Sequence, residues 1–366
     1  MDRVYLDHNA TTPLRAEARA AMCGAMDVAG NPSSVHAEGR AAKMMVERAR
    51  GQVAVLVGCL PQQVVFTSSA TEAAALAVAQ KDRHGGVFAA LPTEHDCLGV
   101  WSDQVLQAAY DVSGAFQAPA ALPARGLFAV SAANSETGIM PAKEVLRVYS
   151  EGDRALVCDI TQVAGKMPIA FGEAKPSYAI LSAHKIGGPK GVGAFINFTA
   201  DDPEPILRGG GQEMNRRSGT ENTIGIAGFG AAAEAAARDV AAGRWDEIAE
   251  FRNILETALE AGSNKTIFVG KEMPRLPNTS SIIADGWKGE TQVMQMDLAG
   301  FAISAGSACS SGKVNASTVL QAMGYSTAQA SSAIRVSLGL ETTKEDVLRF
   351  ADAWLAKRHK HEQRAA

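Results

Sequence analysis

The sequence lacks a long apolar segment, a strong excess of one charge and a paired set of cysteines. No apolar run reaches the roughly 18 residues that a membrane-spanning helix needs, so we expect no contact with a membrane. The first five residues lack the apolar stretch of a secretory signal, and we expect a cytoplasmic protein. The formal net charge of −4 argues against nucleic acid as a partner.

The five cysteines are odd in number and include no CxxC pair. This spacing fits reduced thiols better than a disulfide framework, and it does not match the ligand spacing of a structural zinc site. We therefore expect no bound metal. A single cysteine is more often an inert buried group than a reactive one, and we interpret Cys59 and Cys158 in that way. Cys97 follows His95 closely enough to line the same site.

What the sequence does contain is enough apolar residues, 46% of 366, to bury a large core. Between residues 64 and 198, runs typical of strands alternate with stretches typical of helices. This alternation predicts an α/β fold with a mostly parallel central sheet covered by helices on both faces. The strand candidates are residues 64–67, 86–89, 127–131, 155–159, 178–182 and 192–198, and the helix candidates are 38–57, 71–80, 98–109 and 142–151.

The composition changes after an alanine-rich helical stretch that begins at Ala227 and runs past Trp245 toward Leu259. Beyond it, short strand candidates at residues 279–283 and 332–338 mix with a helix candidate at 344–356. We therefore predict a large domain over residues 15–244. A smaller α+β domain would be formed by residues 1–14 together with residues 245–366.

Polar residues follow the predicted strands at the points where they end. They are residues 68–72, 93–95, 134–138, 159–162 and 182–185. In open α/β sheets, ligands bind outside the carboxyl ends of the strands. Residues 68–72 also open a helix, whose first N–H groups can bind a phosphate, although a plain serine or threonine N-cap explains the same pattern.

Lys185 lies in a glycine-rich turn directly after a predicted buried strand. Burying a charged lysine at that place costs free energy unless its amine is paired with another group or bonded covalently. One such bond is a Schiff base to pyridoxal phosphate (PLP), whose ring needs a carboxylate beside its pyridine nitrogen. Asp159 ends the preceding strand candidate, so the pattern predicts that the two side chains share one edge of the sheet.

Eight segments in the same order resemble the NifS/IscS-type cysteine desulfurases, a branch of the class-V aminotransferase family of fold type I PLP enzymes. The resemblance covers nearly the whole chain. Besides the turn around Lys185, its main segments are residues 6–13, 30–36, 209–212, 217–220, 304–312 and 332–339. The family has a large domain with a mostly parallel sheet and a smaller α+β domain, as predicted above.

The resemblance implies PLP as the cofactor and Lys185 as the lysine of its Schiff base. Asp159 would keep the pyridine nitrogen protonated. Gln162 would reach the phenolic oxygen of the ring, and Ser135 stands where the family has an asparagine with the same contact. His95 would stack on the ring and act as acid or base.

The resemblance also assigns residues to the phosphate and to the substrate. Arg335 would clamp the substrate carboxylate in bidentate fashion, and Asn31 would help to hold the same end. Thr220 would reach the phosphate from the second subunit of a homodimer. The other phosphate contacts would be the backbone at Ala70 and Thr71 and the side chains of Ser182 and His184.

Cys309 is the residue that distinguishes a desulfurase from a transaminase. It lies among small polar residues at 305–312, which predicts a loop. The resemblance implies conversion of L-cysteine to L-alanine, with a persulfide formed on Cys309. That sulfur would pass to an acceptor or scaffold protein, for iron–sulfur cluster assembly or related sulfur trafficking. The alternatives are a selenocysteine lyase and a non-catalytic regulatory subunit that kept the PLP fold.

Two positions depart from the family pattern. Ala75 and Ser135 stand where the family usually has asparagines. The polar contact at Ala75 is absent, and the Ser135 hydroxyl can replace one hydrogen bond but has a shorter reach. We expect weaker tuning of the cofactor rather than its loss.

Overall fold

The structure is a computed structural model that describes residues 3–106, 109–119, 122–172, 174–263, 265–306 and 316–365. The strands are β1 (Val4–Tyr5), β2 (Val64–Thr67), β3 (Phe88–Ala90), β4 (Gln104–Val105), β5 (Ala109–Tyr110), β6 (Phe116–Gln117), β7 (Arg125–Ser131), β8 (Asp153–Asp159), β9 (Tyr178–Ser182), β10 (Gly193–Asn197), β11 (Thr266–Phe268), β12 (Thr279–Ala284), β13 (Phe301–Ala302), β14 (Ser304–Ala305) and β15 (Ala333–Ser337). The α-helices are α1 (Ala16–Met26), α2 (Ala37–Val57), α3 (Ala70–Val78), α4 (Asp96–Gly99), α5 (Lys143–Val148), α6 (Thr223–Ala241), α7 (Arg244–Gly262), α8 (Gly289–Leu298), α9 (Thr318–Ala322), α10 (Thr327–Ser331) and α11 (Lys344–Ala365).

The central sheet has seven strands in the order β2-β10-β9-β8-β7-β3-β4. The strands from β9 to β4 run parallel, and β10 is antiparallel to both of its neighbours. Alternate side chains of each strand point to opposite faces. Phe66 and Leu181 therefore pack against α2 and α6 on one face, while Val65 and Ile180 pack against α3 on the other. The prediction of a mostly parallel α/β sheet covered on both faces is confirmed.

A second, four-stranded sheet has the order β11-β12-β15-β14 and is antiparallel throughout. Its apolar face packs against α7, α8 and α11 around the buried rings of Trp287, Phe350 and Trp354. The N-terminal strand β1 joins this part of the molecule by pairing in parallel with β13. We propose that the two sheets mark the two predicted domains, divided near residue 244.

The predicted helix over residues 98–109 is wrong. Helix α4 ends at Gly99, and β4 follows it and pairs in parallel with β3. The side chains of Ser102 and Asp103 accept hydrogen bonds from the backbone N–H groups of Ala90 and Phe88, at 3.0 Å each. These side chains draw the segment alongside β3, which competes with a continued helix.

The alanine-rich stretch is two helices rather than the continuous one that the composition predicts. Helix α6 ends at Ala241 and α7 begins at Arg244. Between them, Gly243 has a φ of +67°, a left-handed conformation that glycine adopts without the steric cost of a side chain. The chain changes direction there, next to the predicted domain boundary.

Candidate active site

A cavity of about 230 Å³ opens at the carboxyl ends of β7, β8 and β9, in front of the first turn of α3. It is lined by Ser69, Ala70, Thr71, Thr93, His95, Cys97, Ser131, Ala133, Asn134, Ser135, Asp159, Thr161, Gln162, Ser182, His184 and Lys185. The structure thus brings together nine of the residues predicted from the sequence. These are Ala70, Thr71, His95, Ser135, Asp159, Gln162, Ser182, His184 and Lys185.

Lys185 lies on a single 3-10 turn that directly follows β9. Its Nζ donates hydrogen bonds to the backbone carbonyl oxygens of Asn9, at 2.6 Å, and Ala10, at 2.9 Å. The hydroxyl of Thr12 in turn donates to the carbonyl oxygen of Lys185, at 2.9 Å. The N-terminal segment therefore packs across the lysine turn and holds the amine at the cavity wall.

Asp159 ends β8 and supplies the carboxylate of the cavity. Its side chain is buried, and Oδ1 accepts a hydrogen bond from the backbone N–H of Thr161, at 2.8 Å. Glu94 is buried nearby and accepts a hydrogen bond from the hydroxyl of Ser131. Burial raises the pKa of Glu94 to about 7, and the neighbouring Asp159 adds to that rise. Asp159 lines the cavity and Glu94 does not; Glu94 instead contacts the lining residue Ser131.

The first turn of α3 forms the opposite end of the cavity. Ser69 is the N-cap, and its hydroxyl accepts a hydrogen bond from the N–H of Glu72, at 3.2 Å. Ala70 and Thr71 belong to the first turn, where backbone N–H groups have no partner within the helix. Strand β10 approaches this turn at Gly193, where a Cβ atom would lie only 2.5 Å from the carbonyl carbon of Ser69. A glycine is required for that close approach.

Two histidines of the cavity are set by their surroundings. Burial lowers the pKa of His184 to about 4, and the charges of Lys185 and Lys190 add to that effect. The ring of His184 is therefore neutral near pH 7, with Nδ1 3.1 Å from the hydroxyl of Thr11. His95 is the N-cap of α4, and its Nδ1 accepts a hydrogen bond from the N–H of Cys97, at 3.1 Å. A neutral His95 ring consequently carries its proton on Nε2.

The cysteines among the described residues are unpaired thiols. Burial raises the pKa of Cys59 to about 12 and also raises the pKa values of Cys97 and Cys158. A thiol with a raised pKa is a poor nucleophile. Cys97 lines the cavity, but burial disfavours its thiolate.

Arg335 lies on β15, just behind the cavity. Its guanidinium group forms an ion pair with Asp7, at 2.9 Å, and donates to the backbone carbonyl oxygen of Ser135, at 3.1 Å. It also donates to the hydroxyl of Ser304, at 3.1 Å. Arg335 thus reaches the cavity wall through Ser135, and its role as the clamp for a substrate carboxylate stays a prediction.

Two other predicted residues, Asn31 and Thr220, do not line the cavity. Asn31 is exposed, and its side-chain oxygen accepts a hydrogen bond from the N–H of Ser33, at 2.9 Å. Thr220 lines a separate cavity together with Arg217. Cys309 lies outside the described residues. The roles assigned to these three residues stay predictions.

Sequence reasoning assigned no role to Asn9 or Lys166, and the structure places both of them directly behind the cavity. The backbone oxygen of Asn9 accepts from Lys185 and from Nε2 of Gln162, at 2.6 and 3.1 Å. Nζ of Lys166 lies 2.9 Å from Oε1 of Gln162. One signal in the sequence could have indicated Lys166, because it follows Gln162 by four residues, the spacing of one helical turn.

Comparison with known proteins decides the family. The family described as Aminotransferase class-V matches residues 4–350. A cysteine desulfurase of Klebsiella pneumoniae is 37% identical over 365 residues, which cover 95% of this chain and 90% of that protein. The cysteine desulfurase IscS of Dictyoglomus turgidum is 33% identical, over 94% of this chain and 91% of that protein. This chain belongs to the class-V aminotransferases, in the branch of the cysteine desulfurases.

Solved structures of that branch share its fold. The NifS-like protein of Rickettsia africae superposes with a TM-score of 0.87 at 27% sequence identity, covering 98% of this chain and 99% of that one. A protein described as SspA in complex with cysteine superposes with a TM-score of 0.76 at 26% identity, covering 93% of this chain and all of that one. The expected assignment to the fold type I PLP enzymes is confirmed.

The cofactor of this family is PLP, and four features of the cavity fit it. Lys185 offers an amine at the wall, and Asp159 offers a carboxylate for the pyridine nitrogen. The first turn of α3 offers unpaired N–H groups for a phosphate. The hydroxyl of Thr161, which also lines the cavity, is buried without a hydrogen-bond partner and so awaits a polar ligand atom.

Among the described residues, no group of three or more histidines, cysteines or acidic residues could hold a metal ion. No helix of those residues is long and apolar enough to cross a membrane.

Proposed function

We propose that this protein is a PLP-dependent cysteine desulfurase that converts L-cysteine to L-alanine and forms a persulfide on Cys309. The observation that carries the proposal is the meeting of Lys185, Asp159 and His95 with the first turn of α3 in one cavity. The relatives named cysteine desulfurase supply the substrate and the type of reaction.

Different residues of the cavity would contact different parts of the cofactor. Lys185 would bind its aldehyde carbon, Asp159 its pyridine nitrogen, and Gln162 with Ser135 its phenolic oxygen. The phosphate would lie at Ala70, Thr71, Ser182 and His184. When bound, PLP supplies an electron sink for the bonds at the substrate Cα.

Lys185 would also move the proton of the substrate Cα. Its amine is held by the carbonyl oxygens of Asn9 and Ala10, and in its neutral form a lysine amine carries a lone pair. That lone pair is the base that takes the proton once substrate has displaced the lysine. His95, which lines the cavity, would be the second acid or base.

Sulfur transfer would take place at Cys309. The Cys309 thiolate attacks the sulfur of the substrate, the substrate Cβ–S bond breaks, and Cβ takes up a proton. The Cys309 thiol and L-cysteine thereby yield a Cys309 persulfide and L-alanine, with atoms and electrons balanced. A thiol reductant, or an acceptor protein, then removes the outer sulfur.

The first test is alanine formation from L-cysteine in the presence of a thiol reductant. The wild type should turn over and Cys309→Ala should not. Cys23→Ala, which removes an exposed cysteine, is the matched control and should match the wild type. Alanine from Cys309→Ala at the wild-type rate would show that Cys309 is not the sulfur acceptor.

We further propose a homodimer in which Thr220 contacts the phosphate bound in the partner. This proposal is supported by the position of Thr220, which is exposed and lies outside the cavity of its own chain. The measurement is the mass of the PLP-loaded protein in solution. A monomer with full PLP occupancy would contradict the role of Thr220.

The sulfur acceptor and the compartment are also proposals. A protein partner, such as a scaffold for iron–sulfur clusters, would take the sulfur, in keeping with the IscS-named relative. We place the protein in the cytoplasm, which the unpaired thiols of the described residues favour because reducing conditions keep thiols unpaired.

A further inference from the structure

Lys166 is a buried lysine that the proposed reaction does not use. Only 3% of the residue is exposed, in the turn that follows β8. Its Nζ lies 2.9 Å from Oε1 of Gln162 and 3.2 Å from Oδ1 of Asn9, so both partners are amide oxygens rather than carboxylates. Burial, together with the charges of Lys185 and Arg335, lowers the pKa of Lys166 well below its ordinary value. Burying a lysine amine without a carboxylate partner costs free energy of folding, and that cost indicates a functional role.

The contact constrains the orientation of the Gln162 amide. Nζ of Lys166 donates to both amide oxygens, so the oxygen of Gln162 faces Lys166. The nitrogen Nε2 then lies on the opposite side, where it donates to the backbone oxygen of Asn9, at 3.1 Å. An amide nitrogen has two N–H groups, and Gln162 lines the cofactor cavity. One N–H group therefore remains for a ligand.

We propose that Lys166 is a positioning residue of the cofactor site, which holds the Gln162 amide so that an Nε2–H group is presented to the phenolic oxygen of the cofactor. The proposal rests on the role given to Gln162 under the proposed function. Lys166 does not line the cavity and so acts through Gln162. The backbone oxygen of Asn9, which accepts from Gln162, also accepts from Lys185. Hydrogen bonds therefore connect Lys166, Gln162, Asn9 and Lys185 in one network.

Several charged groups surround Lys166 and could act beside it. Lys185 and Arg335 are the cations that face it, and Asp7 is paired with Arg335. His8 packs on the same side, and burial together with the charge of Lys166 lowers the pKa of His8 to about 4. Lys166 could therefore affect the cofactor linkage at Lys185 directly, by charge, as well as through Gln162. The experiment has to separate these two routes.

The readout is the visible absorption of the PLP-loaded protein as a function of pH. The band changes when the linkage between cofactor and lysine gains or loses a proton. A donor to the phenolic oxygen draws electron density from that linkage and lowers its affinity for the proton. In Lys166→Met the midpoint of the titration should rise by about one pH unit, the size expected for one lost hydrogen bond to a charged group. Lys166→Arg, which keeps a donor-only side chain, should restore much of the shift.

The Gln162→Ala variant distinguishes an effect transmitted through Gln162 from a direct effect of the Lys166 charge on Lys185. In Gln162→Ala the midpoint should already be raised, and adding Lys166→Met should leave it unchanged, because the intermediary is gone. Lys43→Met, at an exposed lysine of α2, is the matched control and should titrate like the wild type. If Lys166→Met does not fold, Lys166→Gln replaces it with a smaller expected rise, because its amide can also accept.

Two results would overturn the proposal. An unchanged midpoint in Lys166→Met, with a lower melting temperature of the cofactor-free protein, would leave Lys166 a structural role alone. A full shift that persists in the Gln162→Ala background would assign the effect to direct charge on Lys185. Both results can be distinguished from a failure of the proposed function. A wild type that binds PLP but forms no alanine from L-cysteine would refute the desulfurase, while the midpoints still decide the role of Lys166.

Discussion

The candidate active site has two walls of different origin. The strand-end wall consists of the residues that end or directly follow β7, β8 and β9, among them Asp159, Ser182 and Lys185. The N-terminal wall consists of residues 7–12, which stand behind the lining residues and contact Lys185, Gln162 and His184. The preceding strand β1 is anchored by its pairing with β13. The first wall supplies the side chains with chemistry, and the second supplies mainly backbone oxygens and buried polar contacts. The reactive side chains thus lie at the strand ends, while the N-terminal segment, which is distant in sequence, holds the Lys185 amine in place.

The comparison predicts that a change in the strand-end wall removes function and leaves the fold. Lys185→Ala should abolish both alanine formation and the absorption of the bound cofactor, because no other residue of the cavity wall can replace the amine. The measurements are an absorption spectrum and an alanine assay after loading with PLP. Lys43→Ala serves as the control at an exposed lysine. An unchanged yellow protein would remove the basis of the proposed function.

Asp159→Asn should lower kcat by about 100-fold, the size seen when one preorganised electrostatic partner is lost. An amide cannot keep the pyridine nitrogen protonated as a carboxylate does. The rate of alanine formation at saturating L-cysteine is the measurement, with melting temperature as a check on folding. Asp352→Asn, at an exposed aspartate of α11, should keep the wild-type rate. An equal rate in Asp159→Asn would separate Asp159 from the cofactor.

Glu94→Gln should change how stability depends on pH. The folded protein raises the pKa of Glu94 from 4.5 to about 7, so the folded state binds more protons than the unfolded state between those values. The contribution of Glu94 is therefore greatest below pH 4.5 and is lost as the pH rises through 7, by about 3 kcal/mol. The difference in unfolding free energy between wild type and variant, measured by urea titration from pH 5 to pH 8, should show this slope. A Glu272→Gln variant, exposed on the surface, should show none.

Asn9→Ala tests the N-terminal wall. The change removes an amide that contacts Lys166, Asn278 and Thr279, and it should lower the free energy of unfolding by about 2 kcal/mol. The backbone oxygen that accepts from Lys185 remains, so the absorption of the bound cofactor should stay. Asn31→Ala is the control for stability, because that asparagine is exposed. Loss of the cofactor band without loss of stability would erase the distinction between the walls.

Most of the strand-end wall could be predicted because its signals are local. Asp159 and Lys185 each follow a buried strand run, and parallel strands bring their carboxyl ends to one edge. The helix predicted over residues 98–109 is wrong because the contacts that decide the structure of this segment are not local. Ser102 and Asp103 bond to the backbone of β3, a contact that the periodicity of the segment itself does not contain.

The N-terminal wall and the support behind it could not be predicted in the same way. Asn9 meets Thr279 and Ser337 across more than two hundred residues of sequence. Lys166 reads as an ordinary polar residue of a turn, and only its burial against Gln162 and Asn9 gives it a partner. Likewise, the ion pair of Arg335 with Asp7 joins two segments that the chain places at its opposite ends.

By itself the sequence determined the class of fold, the strands that carry the site and the family to which the chain belongs. Strand periodicity, turn residues and ordered motifs act over a few neighbouring positions, so they can be read along the chain. Only the tertiary structure decided which distant side chains meet. Asn9 against Lys185, Lys166 against Gln162 and Asp7 against Arg335 depend on how the N-terminal segment packs between the two sheets. That packing is a property of the whole core, and no short stretch of sequence encodes it.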